Sequence, residues 1–212
     1  MPLITKSQLP TNRFASLTGF VLVGGASSRM GRPKASLQLE GESMLERQIR
    51  LLRSVARMVA VVGGSPDFLD AFDVPQVPDA VADRGPLAGI YTALLESRTE
   101  FNLVLGCDLP LVSRRLLGYL ASRARACGSD VTVPCSRDGR LQPLCAVYSR
   151  RALYAVRTRL LLGENKLSGF FPSVRCTVIP WRELADAGFR APVFDNMNTP
   201  DDYEYARTRL GA

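Results

Sequence analysis

The sequence contains no histidine among its 212 residues. This absence excludes Ser-His-Asp catalysis, Cys-His catalysis and zinc sites built on imidazole. Long apolar runs are also missing, since no stretch approaches the roughly 18 residues that a membrane-spanning helix needs. The stretch 1–16 lacks the apolar core of a signal peptide. We therefore expect a cytoplasmic protein that has no membrane as a partner.

Cysteine and lysine are both scarce. The five cysteines form no C-x-x-C pair and none of the spacings of a metal site, which favours reduced thiols in the cytoplasm. Only three of the 27 basic residues are lysines, namely Lys6, Lys34 and Lys166. In so arginine-rich a chain, a lysine indicates a position that needs a compact point charge. Because Lys6 falls in a predicted tail, Lys34 and Lys166 are the candidates, with chance placement as the alternative.

Charge is distributed unevenly along the chain, whose net charge is +7. Residues 61–110 carry 2 basic and 8 acidic side chains, whereas residues 111–182 carry 13 basic and 3 acidic ones. The chain lacks a lysine-rich tail, a helix-turn-helix pattern and alternating aromatic and basic residues, so nucleic acid is not the expected partner. The pattern favours a small polyanion or an acidic protein. Arginines that only solvate helix faces are the alternative for most of them.

The most informative segment covers residues 22–34 and reads LVGGASSRMGRPK, directly after a predicted buried strand over 19–23. Two adjacent glycines let the backbone approach a ligand closely and turn its N–H groups inward. Arg29, Arg32 and Lys34 add positive charge nearby. The segment is neither a P-loop nor a dinucleotide fingerprint, because the glycine spacing and the residues that follow differ from both. It predicts a binding site for a triphosphate.

Strands and helices alternate along the chain. The predicted strands cover 19–23, 58–62, 101–106, 130–134, 141–148 and 175–179, with a short apolar piece at 74–77. The predicted helices run from the Ser43 capping box through Val55 and over about 85–97, 113–127, 150–161, 166–171 and 200–209. This alternation predicts an α/β fold with a mostly parallel sheet covered on both faces, formed by one domain over 18–212 after a flexible extension over 1–17.

Two carboxylates follow predicted strands, and ligands of such folds lie outside the carboxyl ends of the strands. Asp108 comes just after the strand over 101–106 and is predicted to hold Mg²⁺, with a turn or helix cap as the alternative. Asp79 is predicted to accept hydrogen bonds from a base or ribose, with an Asx turn as the alternative. Gly85 opens a helix whose first turn would pack against a base, or is an ordinary helix start.

Three further polar residues are weaker candidates for the second substrate. Asn196 and Asn198 project to the same side of an extended segment, where they would position a ligand or a metal-bound water. Capping of the last helix is the alternative for this segment. Gln142 would touch the substrate beside Arg137 and Arg140, for which surface solvation is the alternative. Together with the glycine loop and the cations, the strand-end aspartates predict nucleotidyl transfer, which needs no histidine because a phosphate nucleophile is already ionised.

Four segments in order resemble the molybdenum cofactor guanylyltransferases, the MobA-like nucleotidyltransferase family. They are residues 22–34, GPLAG at 85–89, CDLP at 107–110 and NMNTP at 196–200, and the resemblance spans about 18–209. It implies a Rossmann-like three-layer α/β/α fold similar to the nucleotide-diphospho-sugar transferases. It also implies transfer of GMP from GTP to the phosphate of Mo-molybdopterin with Mg²⁺, release of pyrophosphate and formation of the molybdopterin guanine dinucleotide.

The resemblance implies that Leu22 to Gly24, Lys34, Asp79 and Asp108 bind the nucleotide, and the sequence pattern adds the other expected roles. Arg29, Lys34 and Asp108 are expected to be catalytic, and Asp108 is the expected Mg²⁺ ligand. The substrate candidates remain Asn196, Asn198, Gln142 and Lys166. The expected nucleotide contacts are Leu22, Val23, Gly24, Gly25, Lys34, Val62, Asp79, Gly85 and Asp108.

Three alternative functions stay open. A cytidylyltransferase acting on the same cofactor would tend to carry Ala-Ala where this chain has Gly24 and Gly25. A sugar-phosphate nucleotidylyltransferase would need an extended sugar lobe. A nucleotide-binding regulator without turnover would not need both Lys34 and Asp108.

Other cofactor-biosynthesis proteins or an apo-molybdoenzyme are the further partners that we expect.

Overall fold

The computed structural model describes residues 17–24, 33–64, 69, 72–81 and 84–211. The first described strand, β1 (Leu17–Val23), begins where the predicted N-terminal extension ends. Residues 1–16 lie outside the described residues, and so do Gly25, Arg29 and Arg32 of the glycine segment.

A seven-stranded sheet forms the centre of the molecule, in the order β5-β4-β1-β6-β8-β7-β9. Strand β8 runs antiparallel to both of its neighbours, and every other pairing in this sheet is parallel. The prediction of a mostly parallel sheet is therefore confirmed. A small hairpin of β2 (Gln38–Leu39) and β3 (Glu42–Ser43) stands apart from it. The remaining strands are β4 (Met58–Gly63), β5 (Gln76–Val77), β6 (Phe101–Gly106), β7 (Val131–Pro134), β8 (Cys145–Ser149) and β9 (Cys176–Ile179).

Helices cover both faces of the sheet, as the alternation predicts. On one face α1, α3 and α6 bury Leu45, Leu116 and Leu184 in one apolar cluster, and on the other α2, α4 and α5 bury a second cluster that includes Leu87 and Phe170. Among the described residues, no helix combines the length and the apolar composition that crossing a membrane requires. The α-helices whose bounds lie within the described ranges are α1 (Met44–Arg53), α2 (Gly85–Glu96), α3 (Arg114–Cys127), α4 (Leu153–Leu161), α5 (Leu167–Phe170), α6 (Trp181–Asp186) and α7 (Pro200–Leu210).

Three of the described helices begin at a capping side chain. The Ser43 side chain accepts a hydrogen bond from the Glu46 N–H at 3.2 Å, and the Glu46 carboxylate accepts one from the Ser43 N–H at 2.6 Å. Such a cap stabilises a helix by about 1 kcal/mol. Ser113 caps α3 in the same way, through the Leu116 N–H. At α7 it is Thr199 rather than Asn198 that caps, through the Asp202 N–H.

The register of the parallel strands brings the ends of four strands to one edge of the sheet. Strand β1 lies between β4 and β6, and Leu22 pairs with both Val62 and Gly106. Val62 also pairs with Val77 at the end of β5. The carboxyl ends of β1, β4, β5 and β6 are therefore level, and the residues that follow them meet at this edge, which we call the carboxyl edge.

Besides the hairpin of β2 and β3, for which the sequence pattern predicts no strands, two elements differ from the prediction. The predicted strand over 141–148 begins only at Cys145, because Pro143 has no N–H to donate, and Leu141 forms just an isolated bridge to Cys135. Helix α6 is not predicted by the sequence pattern. It has six residues, no side-chain cap and one buried side chain, Leu184, so it carries neither a capping signal nor an apolar stripe.

Candidate nucleotide site

A cleft of about 640 Å³ opens at the carboxyl edge. This volume lies within the ordinary range of small-molecule sites. Its walls come from the ends of β1, β4 and β6, from the first turns of α2 and from the residues before β2. It brings together the predicted nucleotide contacts Leu22, Val23, Gly24, Lys34, Val62, Asp79, Gly85 and Asp108.

Gly63 ends β4 in a conformation that favours glycine, with φ at +74°. A Cβ atom at this position would lie 2.5 Å from the Val23 carbonyl oxygen and 3.0 Å from Asp79 Oδ2. Glycine therefore leaves room for the Asp79 carboxylate beside the end of β4. Gly63 itself offers no side chain to a nucleotide, whereas the preceding Val62 lines the cleft.

Asp79 stands on the rim of the cleft, two residues beyond β5. Its carboxyl group is partly desolvated by the surrounding walls, and this burial raises its pKa above the ordinary value. The next residue is fixed to α2, because the Ala80 N–H donates to Thr92 Oγ1 at 3.0 Å and that hydroxyl donates to the Ala88 carbonyl at 3.0 Å. The loop is thus held while the carboxylate faces the cleft as an acceptor.

Asp108 follows β6 and is half-buried at the base of the cleft. Its Oδ1 lies 2.7 Å from where a Cβ atom on Gly106 would sit, so the carboxylate leans over that glycine. Among the described residues, no cluster of three or more Asp, Glu, Cys or His side chains is placed to hold a metal. A single carboxylate still fits Mg²⁺, because this ion is commonly bound through one or two carboxylates with substrate phosphates and water.

Lys34 begins a short 3₁₀ turn and reaches the C-terminal part of the chain. Its Nζ donates a hydrogen bond to Asn198 Oδ1, across 164 positions of sequence. Asn198 is held in turn by its own N–H, which donates to Asp202 Oδ2 at 2.8 Å. Met197 between the two asparagines is fully buried against Leu39, so the neighbouring side chains project away from that core. Asn198 therefore lies beside the cleft, because it bonds Lys34, which lines the cleft. Asn196 is exposed.

The other two substrate candidates do not line the cleft. Gln142 closes the turn over 135–142, where its Nε2 donates to Ser136 Oγ at 3.0 Å. In the same turn Arg140 pairs with Asp138 at 3.1 Å. Lys166 is exposed at the start of α5.

Some cleft residues were missed by the sequence reasoning. Arg84 lies just before α2 and adds a cation to the rim. Leu144 forms part of the wall because its carbonyl accepts the Gly106 N–H at 2.8 Å. Cys107 is buried beside Asp108, and burial followed by that negative charge raises the pKa of its thiol. Arg84 had a sequence signal in its position before the predicted helix, but Leu144 had none, since its place depends on the antiparallel pairing of β8.

The comparison with known proteins agrees with this geometry. The family of the MobA-like NTP transferase domain matches residues 19–175. A probable molybdenum cofactor guanylyltransferase of Pelotomaculum thermopropionicum is 36% identical over 191 residues, which cover 90% of this chain and 91% of that protein. A protein of the same description from Bacillus subtilis is 32% identical and covers 86% of this chain and 90% of its own length.

Solved structures share the fold. The molybdopterin-guanine dinucleotide biosynthesis protein A of Archaeoglobus fulgidus superposes with a TM-score of 0.81 at 23% identity, covering 92% of this chain and 98% of its own. The 2-C-methyl-D-erythritol 4-phosphate cytidylyltransferase of Thermus thermophilus gives a TM-score of 0.65 at 17% identity, covering 91% and 98%. These likenesses establish the Rossmann-like nucleotidyltransferase fold, and the match over 19–175 shows that the chain belongs to the family of the MobA-like NTP transferase domain.

Proposed function

We propose that this enzyme transfers GMP from GTP to the phosphate of Mo-molybdopterin, forming the molybdopterin guanine dinucleotide and releasing pyrophosphate. The observation that carries the proposal is the presence of Lys34 and Asp108 in one cleft at the carboxyl edge. The choice of guanine and of the pterin is supported by the relatives described as probable molybdenum cofactor guanylyltransferases.

The residues of the cleft would divide the work by charge. Lys34 would neutralise the phosphates of GTP, and the N-terminus of α2 at Gly85 adds the positive end of a helix dipole. Asp79 would accept hydrogen bonds from the nucleoside. Asp108 would hold Mg²⁺, the proposed form of the divalent metal that such transferases generally use. When bound, this metal spreads the charge of the phosphate oxygens.

No general base is needed for this reaction. The attacking group is a phosphate oxygen that is already ionised, so the chain has to align it with the α-phosphate of GTP and exclude other nucleophiles. Asn198 would contribute by fixing the Lys34 ammonium group before the nucleotide arrives. Partner proteins and cytoplasmic location remain predictions from the sequence, and the five free thiols are in keeping with a reducing compartment.

Pyrophosphate release tests the proposed function directly. The protein would be incubated with Mg²⁺, molybdopterin and each of the four nucleoside triphosphates in turn. We expect release with GTP and dependence on the pterin. Release with CTP but not with GTP would identify a cytidylyltransferase, and nucleotide binding without release under any condition would identify a regulator.

A further inference from the structure

Three consecutive carbonyl groups in the loop after β6 each accept a hydrogen bond from a distant part of the chain. They belong to Asp108, Leu109 and Pro110, in the segment that we call the Asp108 loop (residues 107–110). The carbonyl of Asp108 itself accepts the Met197 N–H at 2.8 Å. All three lie beyond the end of β6, so the loop depends on these donors for its position.

The other two donors are adjacent side chains of α1. Gln48 Nε2 donates to the Leu109 carbonyl at 2.9 Å, and Arg47 Nε donates to the Pro110 carbonyl at 2.9 Å. Both residues are buried, with 0% and 9% of their surface exposed. The Arg47 guanidinium is itself oriented by Glu42, whose Oε1 lies 3.4 Å from Arg47 Nη1.

The buried side-chain amide of Gln48 lowers the stability of the fold. Within the described part of the chain its Oε1 is buried and has no hydrogen-bond partner. An unsatisfied buried acceptor destabilises a fold, and an apolar side chain of similar size would avoid that cost. The useful feature of Gln48 is therefore its N–H group, which bonds the Asp108 loop.

We propose that Gln48 and Arg47 are positioning residues that hold the Asp108 loop so that the Asp108 carboxylate stays over Gly106 and faces the nucleotide-bound metal. The inference rests on the proposed function for the identity of the ligand. The geometry behind it is local: a carboxylate that leans over a glycine keeps its direction only while the backbone of its own loop is fixed.

Amide hydrogen exchange at Met197 tests the positioning in the ligand-free protein. Because the Met197 N–H bonds the Asp108 carbonyl, its exchange rate reports whether the loop stays in place. We expect Gln48→Met to accelerate this exchange about tenfold. The milder Arg47→Lys, which keeps the charge near Glu42, should give a smaller acceleration and serves as a second variant if Gln48→Met folds poorly.

A matched control breaks a similar bond far from the cleft. Asn102 is buried in β6, and its Nδ2 donates to the Tyr148 carbonyl at 3.2 Å near the opposite end of the sheet. Asn102→Leu should destabilise the protein and leave Met197 exchange unchanged. Equal acceleration in Asn102→Leu, or none in Gln48→Met and Arg47→Lys, overturns the proposal.

The second readout is the Mg²⁺ concentration that gives half-maximal pyrophosphate release with GTP. We expect Gln48→Met to raise it about tenfold while kcat at saturating Mg²⁺ changes less than about twofold, whereas a purely structural role would lower the active fraction alone. An unchanged half-point overturns the proposal even if exchange accelerates. If the wild-type protein releases no pyrophosphate, the proposed function fails, and Met197 exchange still decides whether the loop is held by α1.

Discussion

The two edges of the central sheet treat their charged side chains differently. The opposite edge, where the parallel strands begin, is called the amino edge. There Asp130, just before β7, accepts hydrogen bonds from Arg151 at 3.2 Å and from Arg175 at 3.0 Å. At the carboxyl edge, Asp79 and Asp108 enter no ion pair among the residues that the structure describes. The protein thus pairs Asp130 with its own arginines, whereas it pairs neither Asp79 nor Asp108 with a described cation.

The pKa values of two aspartates follow this division. Hydrogen bonds from Arg175, followed by those from Arg151, lower the pKa of Asp130 to about 2 against the opposing effect of burial. Burial, in contrast, raises the pKa of Asp79. Surroundings rather than residue type therefore move the pKa values of these two aspartates in opposite directions.

The largest effect is expected at Asp108. Asp108→Asn keeps the size of the side chain and removes the charge that would hold the metal, so we expect the rate of pyrophosphate release to fall about thousandfold. The unfolding midpoint should stay near that of the wild type. Asp186→Asn changes an exposed aspartate outside the cleft and should leave the rate unchanged. Wild-type-like turnover in Asp108→Asn would remove its assigned role.

The next largest effect is expected at Lys34, which lines the cleft. Lys34→Met should lower kcat/KM for GTP about a hundredfold, because a cation beside the phosphates is lost. Lys166→Met changes the other candidate lysine, which lies outside the cleft, and should change kcat/KM less than about twofold. Similar losses in both variants would mean that Lys166 also reaches the substrate.

Gly63 tests how far the carboxyl edge depends on close backbone approach. Gly63→Ala should destabilise the protein by about 2 kcal/mol, because φ is positive and the new Cβ would press on the Val23 carbonyl. Urea unfolding measures this change. Gly118→Ala is the matched control, since its Cβ would meet Val55 at 4.0 Å inside α3 and should be neutral or stabilising. Equal unfolding midpoints in the two variants would contradict the expected strain.

The smallest effect is expected at the amino edge. Because its pKa is lowered in the folded state, Asp130 contributes stability that is present above about pH 4 and lost as the pH falls toward 2. Asp130→Asn should lower the melting temperature at pH 7 by roughly 2–4 °C, and the difference should vanish near pH 2.

A control aspartate separates this effect from general surface charge. Asp138 also has a lowered pKa, through a hydrogen bond from Ser136, but it is exposed on a turn. Asp138→Asn should therefore shift the melting temperature at pH 7 in the same direction but by less than Asp130→Asn does, because solvent screens its bonds. A pH-independent difference for Asp130→Asn would show that its bonds to the arginines do not depend on its charge.

Much of this arrangement could be predicted from the sequence, because its signals are local. The capping residues Ser43 and Ser113 and the buried strand segments predict the elements, and parallel strands place the residues after them at one edge. This reasoning is enough to bring Lys34, Asp79 and Asp108 into one expected site. The cleft contains all three.

The rest depends on contacts that no local pattern encodes. The bond between Lys34 and Asn198 joins positions far apart in sequence. A helical pattern predicts that the polar residues Arg47 and Gln48 face the solvent. They are buried because their side chains donate hydrogen bonds to carbonyl groups of the Asp108 loop, which the pattern cannot show. The late start of β8 follows from Pro143, which has no N–H group to donate to a neighbouring strand. Which strand that is depends on the sheet order, which no local pattern shows.

The reversed direction of β8 places its connection to β7 at the carboxyl edge. Because β7 ends and β8 begins at the carboxyl edge, the turn over 135–142 stands beside the cleft and leads directly to Leu144 in its wall. Residues inserted into or removed from this turn would therefore reshape that wall at a distance from β1 and β4, which pair with other strands.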